Sequence, residues 1–239
     1  EPQRHVFYLS DIADEEGLAE WPDLASIARE KVKPERDVLS DNPSSRPLKK
    51  RWWAYQAHRP ELYRQLEQLD RALVNSQVST HLAFCFQPTD RIFAHTLNVF
   101  TDRSWSFFAI MQSRVHEIWA RFFASSLGDG LRYTASDCFE TYPLPENRTQ
   151  SLESAGQTYY DYRAALMVRN DEGLTKTYNR FHDPDETSAE ILELRALHAA
   201  MDRAVLSAYG WHDLAERATC EFQLEYDEPE DEDDDEGRT

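Results

Sequence analysis

The stretch from Phe107 to Pro145 constrains the fold more than any other part of the chain. Phe108, Met111, Val115, Ile118 and Phe122 recur at steps of three and four, which is the spacing of one face of a helix. The pattern predicts a helix over about 105–124. Phe107 and Trp119 widen its apolar stripe, and Gln112, Arg114, His116, Glu117 and Arg121 lie off it. Gly128 and Gly130 break that helix. Leu131-Arg132-Tyr133-Thr134 then predicts a short strand, and the chain leaves through Pro143 and Pro145. Together with the elements on either side, the layout is a mixed α+β module followed by a helical module.

The rest of the chain extends this pattern. Val6-Phe7-Tyr8-Leu9 predicts a strand. Trp21-Pro22-Asp23 opens a helix with Leu24, Ile27, Ala28 and Val32 on one face, ended by Pro34. Residues 40–47 (SDNPSSRP) form a turn-rich linker. Pro60 suits the start of a helix that Leu62, Leu66, Leu69 and Leu73 would carry to about residue 73. Residues 80–86 and 92–100 predict two strands, paired as a hairpin across Pro88-Thr89-Asp90. Residues 151–224 are mostly helical in pattern. One helix lies near 151–168, anchored by Tyr159, Tyr162, Leu166 and Met167. A second runs from the capping box Thr187-Ser188-Ala189-Glu190 to Tyr209, with Gly210 as its stop. The expected organisation is an N-terminal segment and linker (1–47), an α+β domain (48–146), a helical module (147–224) and a disordered acidic tail (225–239).

Net charge is −18, which argues against a nucleic-acid partner until its distribution is considered. Residues 1–45 carry −6, residues 147–224 carry −5 and residues 225–239 carry −9, whereas residues 46–146 carry +2. No apolar run is long enough to cross a membrane. The three cysteines, Cys85, Cys138 and Cys220, lack zinc-ligand or disulfide spacing, as expected of reduced thiols in a cytoplasmic protein. The chain begins with Glu1 and no Met, as expected of a piece of a longer protein.

No catalytic constellation stands out. The seven glycines include no glycine-rich turn leading from a strand into a helix, the device that cradles a sulfonium or dinucleotide cofactor. Asn42-Pro43-Ser44-Ser45 lacks the second proline and the aromatic of a base-gripping Asn-Pro-Pro-aromatic loop, so it predicts a turn. His182-Asp183-Pro184-Asp185 predicts a loop ahead of a helix rather than a metal cluster, and no metal site is expected. The middle block does supply the residue types that hold DNA. Lys49, Lys50, Arg51, Arg114, Arg121 and Arg132 are candidates for phosphates. Arg91, Gln112, Arg114 and Thr134 are candidates for base edges. His95 and His116 suit structural roles.

Several segments resemble, in the same order, adenine-specific DNA methyltransferases of the type IIG restriction–modification and BREX phage-defence kind. They are Val32-Lys33-Pro34-Glu35-Arg36, Lys50-Arg51-Trp52-Trp53 with Arg59-Pro60-Glu61-Leu62-Tyr63, and Ser79 to Phe84. Gln112 to Arg121 follows, then Arg132-Tyr133-Thr134 with Asp137 to Pro143. Tyr178-Asn179-Arg180-Phe181-His182 and Leu197 to Trp211 complete the series. The similarity covers roughly residues 6–215, to the target-recognition and C-terminal region of those enzymes. It implies a module that reads double-stranded DNA and positions an adenine for an S-adenosylmethionine-dependent catalytic domain, upstream or on a partner chain. This chain would bind no cofactor and would not be catalytic alone. The competing reading from charge is an acidic protein-interaction adaptor or a DNA mimic.

Overall fold

The computed structural model describes residues 5–56, 59–127 and 130–220. The acidic tail and Gly128 lie outside the described residues, and so do the expectations placed on them. The fold is mixed α+β, with helices and two small antiparallel sheets. Contacts divide the chain into two compact units. One is built from residues up to 72 with 87–95, the other from 73–86 with 96 onward.

The first unit holds α1 (Pro22–Lys31), α2 (Lys33–Asp37), α3 (Arg46–Lys50) and α4 (Pro60–Leu66). Its core is Leu9, Leu18, Ala25, Ala28, Trp52, Trp53 and Ala54. Val6 to Leu9 forms no strand; the segment is irregular, and only Leu9 reaches the core. Pro34 does not end the structure but sits in the first turn of α2, where its missing N–H costs nothing. Asn42 makes the expected turn, its Oδ1 accepting from the N–H groups of Ser44 (3.0 Å) and Ser45 (2.9 Å). The α4 helix is shorter than the leucine spacing predicts, because Leu73 belongs to a strand instead.

The second unit contains β1 (Arg71–Ser76), β2 (Val78–Ser79), β3 (Phe84–Pro88) and β4 (Leu97–Phe100). The first sheet has the order β3-β1-β4, with Leu73 opposite Phe100 and Ser76 opposite Leu97. The predicted hairpin between 80–86 and 92–100 is therefore wrong: β1 lies between those two strands. Ala72, Leu73, Val74 and Asn75 are all buried, so this central strand shows no alternation by which to recognise it.

The helix predicted over 105–124 is two helices, α5 (Trp105–Gln112) and α6 (Arg114–Phe123). Ser113 separates them in an extended conformation, its Oγ accepting from the His116 N–H at 3.3 Å. α5 is apolar all round and entirely buried from Ser106 to Gln112. The break resets the helical phase. Ile118 and Phe122, placed on the core stripe by sequence, are 55% and 80% exposed, while His116, Glu117 and Ala120 face inward.

β5 (Ser125–Leu127) and β6 (Gly130–Arg132) join β2 in the second sheet, order β2-β6-β5. A single π-helical turn spans Ala135–Phe139. Then come α7 (Gln150–Asn170), α8 (Leu174–His182), α9 (Ala189–Ala208) and α10 (His212–Ala215). Gly210 stops α9 with φ of 79°, as predicted.

Residues 147 onward are packed into the same core as residues 96–146. α5, apolar on every side, needs partners on several sides and finds them in α7 and α9. At Gly156 the approach is so close that a Cβ would lie 2.3 Å from the Trp105 carbonyl oxygen. Carboxylates from the later helices also close the helix starts of the earlier ones. Glu153 accepts from the N–H groups of Trp105 (3.0 Å) and Ser106 (2.6 Å), and Asp202 from that of Arg114 (2.9 Å).

Candidate nucleic-acid interface

The most deeply built part of the second unit is a buried polar network. Arg163 is 2% exposed, with no carboxylate among the described residues in ion-pair range. Its guanidinium donates to the Phe84 carbonyl (2.6 Å), Gln112 Oε1 (3.1 Å) and the Tyr178 hydroxyl (2.7 Å). It lies against the rings of Phe108, Tyr159, Tyr160 and Tyr178. Burial opposes the charge, but the tyrosines around it hold its pKa above the usual arginine value.

Gln112, a candidate base reader, belongs to this network. It is 3% exposed. Its Nε2 donates to the Leu82 carbonyl (3.0 Å), and its Oε1 accepts from the Phe84 N–H (2.9 Å) and from Arg163. Both ends of the amide are engaged inside the protein, so the structure places Gln112 in the core and not among surface groups.

Arg51 is similarly turned inward, its Nη2 donating to the carbonyls of Ser10 (2.6 Å) and Ile12 (2.9 Å). Beside it Trp52 and Trp53 are core residues. Lys50 is exposed and Lys49 half-buried, both on the one-turn α3. In the same unit, Arg91 donates to Gln87 Oε1 (3.1 Å) and lies near Asp90.

Three phosphate candidates come together in the second unit. Glu117, almost fully buried, bridges Arg114 (3.4 Å) and Arg121 (2.9 Å). Burial works against ionisation of its carboxyl, but Arg121 and Arg114 outweigh it and its pKa is lowered. The trio thus carries one net positive charge. Arg121 also donates to the Thr80 carbonyl (3.4 Å), which ties α6 to the end of β2. β2 pairs with β6, Val78 opposite Arg132 and Ser79 opposite Leu131. Along β6 and just beyond, Leu131 and Tyr133 point inward and Arg132 outward. Arg132 has no side-chain partner among the described residues. Thr134 is half-buried and donates to Asp137 Oδ2 (2.8 Å) at the start of the π-turn.

The inner side of this region rests on His116. Burial pushes its imidazole down to about 4, leaving it neutral near pH 7. Its Nδ1–H donates to the Met111 carbonyl (2.7 Å), and Nε2 accepts from the Tyr133 hydroxyl (3.1 Å). The histidine thus fixes the residue next to Arg132, a structural role as the sequence predicts. His95 is exposed. The starts of α5 and α6 offer no anion site, because Glu153 and Asp202 occupy them.

Sequence reasoning missed Glu117, Arg163 and Tyr178. For Arg163 and Tyr178 no local spacing marks the role, since their partners are distant in sequence; Glu117 stands at i+3 from Arg114 and i−4 from Arg121, a spacing that was available as a signal. No group of side chains among the described residues could hold a metal ion, and no described helix is long and apolar enough to cross a membrane.

Comparison with known proteins adds identity to this geometry. The DNA methyltransferase A of Bacillus subtilis (strain 168) is 26% identical over 138 residues, 57% of this chain and 15% of the relative. A solved structure described as the Type IIL restriction-modification enzyme MmeI in complex with DNA superposes with a TM-score of 0.66 at 21% identity. It covers 85% of this chain and 26% of the other, and shows a shared fold. The chain therefore spans only a small part of the length of these relatives. Residues 1–146 match the family described as MmeI, target recognition domain; with more than half of its length matched, the chain belongs to that family.

Proposed function

We propose that this chain is the sequence-reading part of a larger restriction–modification or phage-defence enzyme. It would bind double-stranded DNA in the cytoplasm and present an adenine to an S-adenosylmethionine-dependent methyltransferase domain elsewhere in that protein or on a partner chain. Family membership over residues 1–146 carries the reading. The relatives' descriptions, a DNA methyltransferase and a restriction–modification enzyme in complex with DNA, agree with it. The geometry supplies a contact surface: exposed Arg132 on β6, Arg121 joined to Thr80 just past the neighbouring β2, and Arg114 linked to Arg121 through Glu117. Among the described residues, Arg132, Lys49 and Lys50 are the phosphate candidates whose side chains have no partner, and Arg132 and Lys50 are also exposed, so these two are the ones best able to take phosphate contacts. Thr134 is the base-edge candidate beside Arg132, two residues further along the chain.

The test is fluorescence anisotropy of a labelled duplex across a salt series. Arg132→Ala should weaken binding and reduce the salt slope by about 1. Lys176→Ala, on an exposed side chain of α8 paired with Glu172, should change neither. Equal binding by wild type and Arg132→Ala at every salt concentration would remove this surface from the proposal.

A further inference from the structure

Arg114, Ile118, Arg121 and Phe122 stand at i, i+4, i+7 and i+8 of α6, which places them on one side of the helix. Ile118 is 55% exposed and Phe122 80%, the most exposed aromatic residue among those described. The one carboxylate of α6, Glu117, is buried and bridges Arg114 and Arg121. This side of the helix therefore presents apolar and cationic groups with no exposed acid of its own. Phe122 is backed by a ladder of rings. Its ring meets Phe123 edge-on at 4.9 Å, Phe123 lies 4.6 Å from Trp119, and Trp119 lies 5.9 Å from the buried Tyr142. Trp119 is fixed further by its Nε1–H, which donates to the Thr141 hydroxyl at 3.2 Å. Beyond Phe123 the chain enters β5, where Ser125 pairs opposite Arg132. The Cα atoms of Phe122 and Arg132 are thus at most about 16 Å apart, roughly half a turn of duplex DNA.

We propose that Phe122 is a wedge that enters the base stack of the bound duplex, while Arg121 and Arg132 hold nearby phosphates. The inference rests on the DNA-binding reading above. Apolar side chains that part a base step need a rigid base and cations within reach of the adjoining backbone. The ring ladder behind Phe122 supplies the first, and Arg121 and exposed Arg132 supply the second. A duplex joins negative charge to flat apolar faces, which matches a surface of arginines and an exposed ring. A second copy of this chain fits it less well, because each copy carries a net charge of −18. The phase reset at Ser113, which turns Ile118 and Phe122 away from the core, thereby acquires a purpose: it brings a phenylalanine to the surface beside the arginines.

The experiment uses the full 239-residue chain and the variants Phe122→Ala, Phe122→Trp and Val168→Ala, the last removing a similarly exposed apolar side chain from α7. Anisotropy of a labelled duplex across a salt series gives affinity. Relaxation of closed-circular plasmid by a topoisomerase, with protein present, gives the unwinding that insertion causes and needs no knowledge of the recognised sequence. Sedimentation gives the oligomeric state. Phe122→Ala should melt as wild type does, weaken duplex binding by about 5- to 150-fold, and abolish unwinding at saturating protein. Its salt slope should be unchanged, because no charge is removed. Phe122→Trp and Val168→Ala should keep both affinity and unwinding. Equal affinity and equal unwinding by wild type and Phe122→Ala would overturn the wedge and leave the DNA-binding reading intact. A loss of affinity in Phe122→Ala with no unwinding by wild type would also overturn it, since the ring would then touch DNA without entering the stack. Wild-type oligomers dispersed by Phe122→Ala, with duplex binding unaltered, would overturn it in favour of a protein interface. No duplex binding by wild type at low salt would sink the DNA-binding reading and the wedge with it.

Discussion

Replacing Gln112 separates a base-reading role from a structural one. The side chain is buried and makes three hydrogen bonds, to the Leu82 carbonyl, the Phe84 N–H and Arg163. In Gln112→Ala, Arg163 keeps Tyr178 and the Phe84 carbonyl, but the Leu82 carbonyl and the Phe84 N–H lose this partner inside the core. Each buried group left bare costs about 1–3 kcal/mol. Taking the lower half of that range for two groups, with a small term for the lost volume, gives about 3 kcal/mol. Domains of this size shift in Tm by about 2–4 °C per kcal/mol, so the melting temperature should fall by roughly 6–12 °C. Circular dichroism melts of wild type and Gln112→Ala provide the readout, with duplex selection on the folded variant below its Tm. An unchanged Tm accompanied by a changed DNA motif would refute the structural assignment and restore Gln112 as a reader.

Gly156→Ala should destabilise the chain by about 1–3 kcal/mol despite the better helix propensity of alanine, because the new Cβ meets a backbone carbonyl that cannot rotate away; urea unfolding checks this. His116, held down to about 4 by burial, binds its proton more readily when unfolded. Its contribution is therefore intact above about pH 6.5 and is lost as pH falls toward 4, by up to about 3 kcal/mol. Urea midpoints at pH 7 and pH 4.5 should show this slope, and His116→Gln should flatten it. Glu117→Gln should uncover positive charge on Arg114 and Arg121. Anisotropy titrations should show a steeper salt dependence of duplex binding, and an unchanged slope would mean that these arginines do not meet phosphate.

The helices and their ends were readable where local chemistry decides them. Pro22 and Pro60 start helices, and Gly210 stops one at a positive φ that favours glycine. The failures have a common cause, which is that a remote partner overrode local pattern. Leu73 fits a helical spacing with Leu62, Leu66 and Leu69 but is drawn into a strand by pairing with Phe100. Ser113 looks unremarkable in an amphipathic run, yet Asp202 accepts from the N–H of Arg114, 88 residues before it, and helps to start a new helix. That reset exposes Phe122 and buries Glu117. Among the candidate contacts, the sequence supplied residue types suited to phosphates and base edges and the order of the family's segments. It could not distinguish Arg132, which is exposed, from Arg51, which holds the N-terminal segment, because both are arginines beside aromatic core residues.

The central claim is that this chain reads DNA sequence. Its most direct test is selection of a randomised duplex pool by the full chain, and by a variant lacking residues 225–239, at two salt concentrations, with sequencing of the bound fraction. The account predicts enrichment of one short motif by both proteins. Retention should fall as salt rises and should be greater without the acidic tail. Absence of any enriched motif at low salt, from either protein, would contradict it.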